Sequence, residues 1–578
     1  MTGTSFRIRR GQRSWRGVLI AASLAAVLAL PACAGSRVAG EKQAQQGNSA
    51  GGSADTIPEL KLATESDAAM GSLVNYNPFA PQQTVRTWLF EPLMQQSSLD
   101  CKVVPWLATG YKWEGPAKLV LTIRQGVKWS DGSPFTAKDV AFTFNLTKKY
   151  PAIDQAGVWN DTFGAKAKSV TADGDKVTFD FEGPAATKFT YLIGQKIVSE
   201  KEFASVGDPA KYISKNPIST GPFKIASYNG RRLELDRRPD YWQADKIKVQ
   251  KLVLEGNYST NANQAAAKLK TGELDFYSGE IPNPEKAFVA DDPTTNHVWY
   301  APNGLTVLAP NLTKKPFSDV KFREALAHGM DKQSATDKAT YGLMKVASQS
   351  GLSLPVKANL LPAKYPAEST VIPFDLAKAN QLLDAAGYKK GSNGMRQNPD
   401  GSPISITFSV QAGWIDYEAM ADQFTSNFRK LGLDIKENKM PPEAVDQQNK
   451  AGTFQLMINY MGAGCDYAHG MGATVASSEI PNKTTIKGNA ERYRNSEVDK
   501  AIGALAGATD DAAAKEQVGV LVNAMMTDYP VLPILYAPAR AIYRTDHAVG
   551  WPSAEDPYAN PQDQPLVWIT HLTAPTSK

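Results

Sequence analysis

Residues 119–145 read LVLTIRQGVKWSDGSPFTAKDVAFTFN and hold two patterns of local structure joined by a turn. Leu119, Leu121 and Ile123 alternate with polar or smaller residues, which predicts a half-buried strand. Residues 130–134, SDGSP, have the composition of a turn, because glycine accepts a positive φ and proline fixes its own φ. The first part of the stretch therefore predicts a strand that ends in a tight turn.

A helix should follow this turn. Thr136 lies three residues before Asp139, which is the spacing of a capping box, and a carboxylate in the first turn favours the positive end of a helix. Small and apolar residues then recur at helical spacing, namely Ala137, Val140, Ala141 and Phe144. The whole stretch predicts a strand, a turn and a helix that pack on one another.

The rest of the chain is long enough for several domains. It has 578 residues, of which 42% are hydrophobic and 21% are charged. A single core rarely extends over so long a chain, so two to four domains are expected.

The first 32 residues differ from the remainder and predict an export signal. Five arginines and no acidic residue precede an apolar run over residues 18–30, and Cys33 follows Leu30-Pro31-Ala32. This order is typical of a secretory signal peptide, here residues 1–32, with lipidation at Cys33. Residues 33–56 are rich in Gly, Ser, Ala and Gln and predict a flexible tether.

Charge argues against a nucleic-acid partner. The chain has 63 basic and 58 acidic residues, and removal of the five signal arginines leaves 58 of each. A near-neutral mature chain has no basic excess with which to bind phosphates. Apart from the signal, no run approaches 18 apolar residues, so we expect a chain anchored to the membrane by lipid rather than threaded through it.

Two segments predict α/β architecture. A strand at 251–255, a helix at 262–270 and a second strand beginning near Leu274 form one βαβ-like unit. A strand at 404–410, a helix at 417–430 and a strand at 433–437 form another. A helix at 375–386 should end at Gly387.

Several short motifs, in one order along the chain, carry a family resemblance. They include Asn77-Pro78-Phe79, Phe90-Glu91-Pro92-Leu93, the opening stretch, Gly221-Pro222-Phe223, Asp240-Tyr241-Trp242, Pro316-Phe317-Ser318-Asp319, Asn495-Ser496-Glu497-Val498-Asp499 and Pro530-Val531-Leu532-Pro533. The chain from about residue 57 to its end resembles the family 5 solute-binding proteins of ABC importers, which bind peptides, oligosaccharides or nickel.

The resemblance implies an α/β, two-lobed periplasmic-binding-protein-like fold with an extra domain on the first lobe. Lobe 1 would comprise residues 57–96, 212–303 and 538–578, the extra domain residues 97–211, and lobe 2 residues 304–537. It also implies a lipoprotein on the outer face of the bacterial cytoplasmic membrane. That lipoprotein would deliver peptides to the transmembrane permease subunits of an importer and their ATPases, and it would not be an enzyme.

The site candidates lie in loops after predicted strands. In peptide-binding relatives an Asp in the loop that contains Asp466 pairs with the peptide α-amino group, so Asp466 is the matching position here. The other expected ligand contacts are Tyr467, Tyr460, Trp414, Asn303, Gly304, Tyr76, Asn77 and Trp88. Aromatic rings and amides suit peptides and sugars alike.

Two other functions stay open. The same fold could capture oligosaccharides, because the Asn77-Pro78-Phe79 start and the Gly550-Trp551-Pro552 ending look like the branch that includes cello-oligosaccharide binders. A secreted hydrolase is the distant alternative, since neither a Gly-x-Ser-x-Gly nor an HExxH motif is present. Nickel or haem is less favoured because the five histidines are scattered, so we expect no metal and no cofactor.

Two cysteines remain after the signal, Cys101 and Cys465. A bridge across a moving cleft would lock it, so the sequence favours two free buried thiols, although exported proteins often form disulfides.

Overall fold

A computed structural model describes residues 55–63, 75–80, 86–162, 164–256, 258, 262–462 and 465–576. The predicted signal peptide 1–32, the lipidated Cys33 and all of the tether except residues 55 and 56 lie outside the described residues. Within the described ranges, none of the helices is both long enough and apolar enough to cross a bilayer.

The described ranges contain sixteen strands and fifteen α-helices. The strands are β1 (Ile57–Ala63), β2 (Met94–Gln96), β3 (Val103–Pro105), β4 (Ala108–Trp113), β5 (Lys118–Ile123), β6 (Ala167–Asp173), β7 (Lys176–Phe181), β8 (Phe223–Tyr228), β9 (Arg232–Arg237), β10 (Val249–Glu255), β11 (Phe276–Tyr277), β12 (Asn296–Pro310), β13 (Ile406–Gln411), β14 (Ile435–Met440), β15 (Leu456–Met461) and β16 (Leu532–Arg544). The helices are α1 (Arg86–Leu89), α2 (Ala137–Lys149), α3 (Phe189–Gly194), α4 (Glu200–Phe203), α5 (Ala262–Thr271), α6 (Pro284–Ala287), α7 (Val320–Gly329), α8 (Lys332–Thr340), α9 (Leu376–Ala385), α10 (Ile415–Lys430), α11 (Pro442–Ala451), α12 (Met471–Val475), α13 (Ser496–Leu505), α14 (Asp511–Asp528) and α15 (Pro565–Trp568).

One ten-stranded sheet runs through both lobes, in the order β14-β13-β15-β12-β16-β11-β1-β10-β9-β8. At its lobe 1 end β1 pairs in parallel with β10 and β11, and at its lobe 2 end β13 pairs in parallel with β14 and β15. The helices between these parallel strands, α5 and α10, confirm the two predicted βαβ units. The two-lobed α/β architecture is as expected, while the boundaries of the lobes and the extra domain stay a prediction.

Strands β12 and β16 connect the two ends of the sheet as a long antiparallel ribbon. Residues 296–302 of β12 pair with β16 alone, residues 305–308 pair with both β15 and β16, and residues 309–310 pair with β15 alone. Between these two parts Pro302 faces Pro538 and the register shifts before Leu305. A proline has no backbone N–H, so neither residue can donate a ladder hydrogen bond here. This irregular step lies where the chain passes between the two ends of the sheet, and we take it as the candidate hinge.

The opening stretch lies in a separate four-stranded sheet with the order β4-β5-β7-β6. Strand β5 alternates between buried and partly exposed residues, as predicted, and α2 begins at Ala137. The capping box is confirmed: the Asp139 carboxylate accepts a hydrogen bond from the Thr136 amide at 2.9 Å. Leu121 and Phe144 belong to the same buried cluster as Leu60 of β1, so this domain packs on lobe 1.

A buried carboxylate fixes the extra domain to lobe 1. Glu91 is fully buried and accepts hydrogen bonds from Trp106 Nε1 (2.6 Å), Tyr241 Oη (2.7 Å) and Trp242 Nε1 (3.0 Å). Burial raises the pKa of Glu91, while these donors oppose that shift. The Phe90-Glu91-Pro92-Leu93 motif thus has a structural reason: its carboxylate joins elements from both domains.

Candidate ligand-binding cleft

The carboxyl ends of the parallel strands define the cleft. In lobe 1 the loop at 278–283 follows β11, and in lobe 2 the loop at 412–414 follows β13 and a further loop follows β15. Ligands of open α/β sheets bind at this edge of the strands. The loops of the two lobes approach each other beside the β12–β16 ribbon, as the contacts of Arg540 below demonstrate.

Arg540 of β16 joins a carboxylate from each lobe. Its guanidinium lies 2.9 Å from the Asp416 carboxylate of lobe 2 and 3.7 Å from the Glu280 carboxylate of lobe 1. The three side chains are only 12%, 16% and 14% exposed. The guanidinium carbon also lies 5.8 Å from the centre of the Tyr300 ring, and burial raises the pKa of Tyr300 above its usual value. The lobes are thus held together by an ion cluster that is largely removed from water.

Tyr460 of β15 covers the point where β12 crosses between the lobes. Its hydroxyl donates a hydrogen bond to the carbonyl oxygen of Asn303 at 3.0 Å, and its ring lies directly over Gly304. Burial, with a contribution from the nearby Asp563 carboxylate, raises the pKa of Tyr460 to about 12. Half of the Tyr460 surface is nevertheless exposed, so the ring lines an accessible part of the cleft.

Asp563 comes from the C-terminal segment and adds a further carboxylate beside Tyr460. It is exposed to solvent and accepts a long hydrogen bond from Ser98 Oγ at 3.4 Å. Dense surrounding protein raises its pKa, against the opposing effect of hydrogen bonds from Ser98 and Asn303. A group that is both accessible and partly desolvated is typical of a cleft wall.

Trp414 lies at the lobe 2 rim of the cleft. It precedes α10 and is 48% exposed, and it makes an edge-to-face contact with Tyr417 at 4.9 Å between ring centres. Gly413 before it has φ +87°, a conformation that turns the chain sharply after β13. The ring therefore has a free face on which a ligand could stack.

Asp466 and Tyr467 lie in the loop after β15, with most of their polar atoms engaged inside lobe 2. The Asp466 carboxylate accepts from the amides of Ala468 (2.9 Å) and His469 (3.3 Å) and contacts the His469 ring nitrogen. The Tyr467 hydroxyl donates to Asp511 at 2.7 Å. Both residues also border a cavity of about 320 Å³ between the extra domain and lobe 2. An α-amine at Asp466 would have to share this carboxylate with the turn.

Three sequence candidates are occupied by packing inside lobe 1. Trp88 is 5% exposed and makes edge-to-face contacts with Trp568 and Phe223. Asn77 is fully buried and donates to the carbonyl oxygens of Pro209 (2.6 Å) and Tyr212 (2.9 Å), next to the buried Tyr76. The role of Tyr76, Asn77 and Trp88 as ligand contacts stays a prediction.

Sequence patterns did not mark Glu280, Asp416, Arg540 or Asp563 as site residues. One signal was available for Arg540, a lone cation within the otherwise buried, apolar run of residues 531–543. A buried arginine in such a strand needs a carboxylate partner. Nothing local marks Glu280 or Asp563, because their importance arises only when the lobes come together.

The expectation of free thiols was wrong in the described structure, where Cys101 and Cys465 form a disulfide with their Cα atoms 5.2 Å apart. Cys101 lies in the tight turn between β2 and β3, whose position brings it beside the loop after β15. A disulfide between the two sides of the cleft is compatible with the fold, because the loops that hold Cys101 and Cys465 already meet in this structure. Across the described residues, no group of three or more His, Cys, Asp or Glu side chains is arranged to hold a metal ion.

Comparisons with known proteins agree with this architecture. Over 484 residues the chain is 23% identical to the nickel-binding periplasmic protein of Escherichia coli, covering 80% of this chain and 87% of that protein. The crystal structure of a periplasmic oligopeptide-binding protein from Thermotoga maritima superposes with a TM-score of 0.78 at 24% identity, covering 90% of this chain and 99% of the other. The same Thermotoga protein with bound mannohexaose gives a TM-score of 0.72 at 23% identity, covering 90% and 99%.

A third protein extends the range of ligands among these neighbours. AppA from Bacillus subtilis in complex with a nonapeptide superposes with a TM-score of 0.66 at 20% identity, covering 90% of this chain and 99% of AppA. At such identities the likeness demonstrates a shared fold. Residues 102–481 also match the family described as bacterial extracellular solute-binding proteins, family 5 Middle. Since that match spans well over half of the chain, the protein belongs to family 5 of the bacterial extracellular solute-binding proteins.

Proposed function

We propose that this protein captures peptides in the interlobe cleft and delivers them to the transmembrane subunits of an ABC importer, which its ATPases drive. The observation that carries the choice of ligand is the charge of the cleft. Among the described residues, Glu280, Asp416 and Asp563 bring three carboxylates to this region, and the guanidinium of Arg540 lies within 4 Å of the first two. A peptide brings an α-ammonium group, which carboxylates at the strand ends would stabilise.

The hinge supports a capture mechanism. Closure about the Pro302–Pro538 step would bring the strand ends of both lobes onto the ligand and remove it from water. The exposed rings of Trp414 and Tyr460 would pack on its side chains. No step of this mechanism requires bond making or breaking, which is why we assign binding without catalysis.

The location outside the cytoplasm follows the family, and the mode of attachment is part of the proposal. Cleavage after residue 32 would leave Cys33 to carry lipid, with residues 33–56 as the tether to the folded domains. Cys33→Ser should move the chain from the membrane to the soluble extracytoplasmic fraction and abolish incorporation of a labelled fatty acid. Unchanged labelling of Cys33→Ser would contradict the anchor.

Calorimetric titration of the mature chain tests the ligand class. Di- to pentapeptides with a free amino terminus should bind, and the same peptides should lose affinity when N-acetylated. Cello- and manno-oligosaccharides serve as the comparison. Tight binding of sugars without any peptide binding would replace the peptide proposal, and turnover of either class would overturn the assignment as a binding protein.

Asp466 can be tested separately as the partner of the α-amine. Asp466→Asn retains an oxygen for the Ala468 and His469 amides while removing the charge. If Asp466 pairs with the amine, peptide binding should weaken by about 1–3 kcal/mol. Asp375→Asn is the matched control. The Asp375 carboxylate also accepts a hydrogen bond from a backbone amide, that of Lys378 at 2.8 Å, but Asp375 is the N-cap of α9. Equal affinity of both variants would assign the amine to Glu280, Asp416 or Asp563 instead.

Oligosaccharide capture is the second candidate, favoured by the aromatic rims. Trp414 and Tyr460 each expose about half of their surface, and flat exposed rings stack well on sugars. The Thermotoga neighbour with bound mannohexaose is consistent with this use of the fold. A neutral sugar has no ammonium group to pair with Asp466, so Asp466→Asn should weaken sugar binding less than peptide binding.

A further inference from the structure

The Cys101–Cys465 disulfide is a third covalent connection between the lobe 1 side and lobe 2. The polypeptide itself crosses between the lobes at β12 and β16. Cys101 lies in the turn of the β2–β3 hairpin. The hairpin contacts the C-terminal segment of lobe 1, because Asn560 Nδ2 donates a hydrogen bond to Ser98 Oγ at 2.9 Å. Cys465 belongs to the loop after β15 in lobe 2. The bridge therefore joins the two sides of the cleft at a point other than the two chain crossings.

The bridge leaves little freedom for its two loops to separate. The Cα atoms are 5.2 Å apart. A disulfide accepts Cα separations up to about 6.8 Å, which leaves roughly 1.6 Å before the backbone must move. The neighbouring contacts across the same seam are non-covalent, namely the Ala186 amide to the Ala506 carbonyl oxygen (2.8 Å) and the Tyr191 ring on His469 (4.7 Å). These contacts can part when the lobes open, whereas the disulfide cannot.

Small thiols have access to the bridge. Both cysteines are only partly buried and border the 320 Å³ cavity between the extra domain and lobe 2. Accessible disulfides are the ones that exchange with thiols in solution, while fully buried ones are protected. The β2–β3 turn that holds Cys101 is itself held in shape by a hydrogen bond from the Cys101 amide to the Ser97 carbonyl oxygen at 2.9 Å. After reduction the two thiols would remain in place and could pair again on closure.

We propose that this disulfide is a redox-controlled latch on the cleft. While the bridge is formed, Cys101 and Cys465 must stay together when the lobes rotate. The bridge therefore restricts opening of the cleft and release of the ligand. A dithiol reductant of the extracytoplasmic space breaks the S–S bond by thiol–disulfide exchange: the reductant's two thiols lose their protons and become a disulfide, and Cys101 and Cys465 each become a thiol. The reverse exchange with a disulfide oxidant closes the latch.

Small-angle scattering tests the latch without any ligand. The mature chain with Cys33→Ser contains only Cys101 and Cys465, so titration should find no free thiol before reduction and two after it. Without ligand, the reduced chain should have the larger radius of gyration, and amides around residues 301–305 should exchange faster with deuterium. The Cys101→Ser/Cys465→Ser variant should match the reduced form and ignore the reductant. If that variant fails to fold, the reduced and oxidised wild-type chains decide the question alone.

The effect on ligand release rests on the proposed function and is measured separately. A bound peptide should dissociate several-fold more slowly from the oxidised chain than from the reduced chain. Equal scattering and exchange in both redox states, or two free thiols under oxidising conditions, would overturn the latch. If no peptide binds but the scattering still responds to reduction, the latch stands and the ligand assignment fails.

Discussion

The Tyr460 ring lies so close over Gly304 that a β-carbon there would come within 2.3 Å of the Tyr460 hydroxyl oxygen. Gly304 also has φ +85°, the left-handed region that side chains avoid. Glycine is therefore required here twice, once by the backbone and once by the ring. This contact couples a lobe 2 side chain to the crossover strand at the hinge.

Gly304→Ala should consequently destabilise the protein more than the same change in a free turn. The backbone strain alone should cost about 1–2 kcal/mol of unfolding free energy. Gly230→Ala isolates that strain, since Gly230 has φ +90° and no atom within 4 Å of its added β-carbon. Displacement of the Tyr460 ring, with loss of its hydrogen bond to Asn303, should add about 0.5–1.5 kcal/mol at Gly304. Urea unfolding measures both variants.

A double variant checks the origin of that difference. Tyr460→Ala removes the ring. In the Tyr460→Ala background, Gly304→Ala should therefore lower the unfolding free energy by less than it does in the unchanged chain, as expected for neighbouring residues whose effects are not additive. Equal losses for Gly304→Ala and Gly230→Ala would show that the ring contact is unimportant.

Removal of Arg540 should be costly because it leaves two poorly hydrated carboxylates. Arg540→Met removes the guanidinium beside Asp416 and Glu280, and the unfolding free energy should fall by about 3–5 kcal/mol. The variant can also respond by opening its lobes, because opening returns both carboxylates to water. Small-angle scattering should therefore be measured together with urea unfolding. Lys201→Met is the matched control: its pair with Asp131 is similar in length at 2.7 Å, but Lys201 is 68% exposed. The control should cost less than about 1 kcal/mol.

Two tryptophans separate packing from binding. Trp88→Ala removes a ring buried against Trp568 and Phe223 and should cost about 3–5 kcal/mol of stability. Trp414→Ala removes an exposed ring and should change stability by less than about 0.5 kcal/mol, yet weaken ligand binding. Thermal unfolding and calorimetric titration distinguish the two. A destabilised Trp414→Ala with normal affinity would return Trp414 to a structural role.

These tryptophans also mark the limit of prediction from sequence. Local signals were reliable: the Thr136–Asp139 capping box is present, and Gly387 ends α9 with φ +87°, because both depend on a few adjacent residues. Exposure of Trp88 was not predictable, since its burial depends on Trp568, which is 480 positions away in sequence.

The cleft was predicted only in part for the same reason. Tyr460, Asn303 and Trp414 lie at strand ends or at the crossover, as the predicted strand order implies, while their contact with a ligand stays a prediction. Glu280, Arg540 and Asp563 meet only after three distant segments assemble. The pairing of Cys101 with Cys465 depends likewise on where the β2–β3 hairpin docks, which no local pattern encodes.

Glu491 should make stability fall as the pH rises. It is fully buried, and neither carboxylate oxygen has a hydrogen-bond partner within the described part of the chain. Burial raises its pKa well above the usual value, so the folded protein keeps its proton more tightly than the unfolded chain. Its contribution is fully present below the unfolded pKa and is lost as the pH rises toward the folded pKa. Glu491→Gln should therefore stabilise the protein, and thermal unfolding should show a gain that grows from pH 5 to pH 8.

Lys332 predicts the opposite slope. It is 3% exposed at the start of α8, its ammonium has no hydrogen-bond partner among the described residues, and burial lowers its pKa to about 7. The folded state resists protonation, so stability is lost as the pH falls from the unfolded pKa near 10 toward 7. Lys332→Met should therefore stabilise the protein, with a larger gain at pH 6 than at pH 9. A gain of Lys332→Met that is the same at both pH values would mean that the ammonium reaches water or a partner.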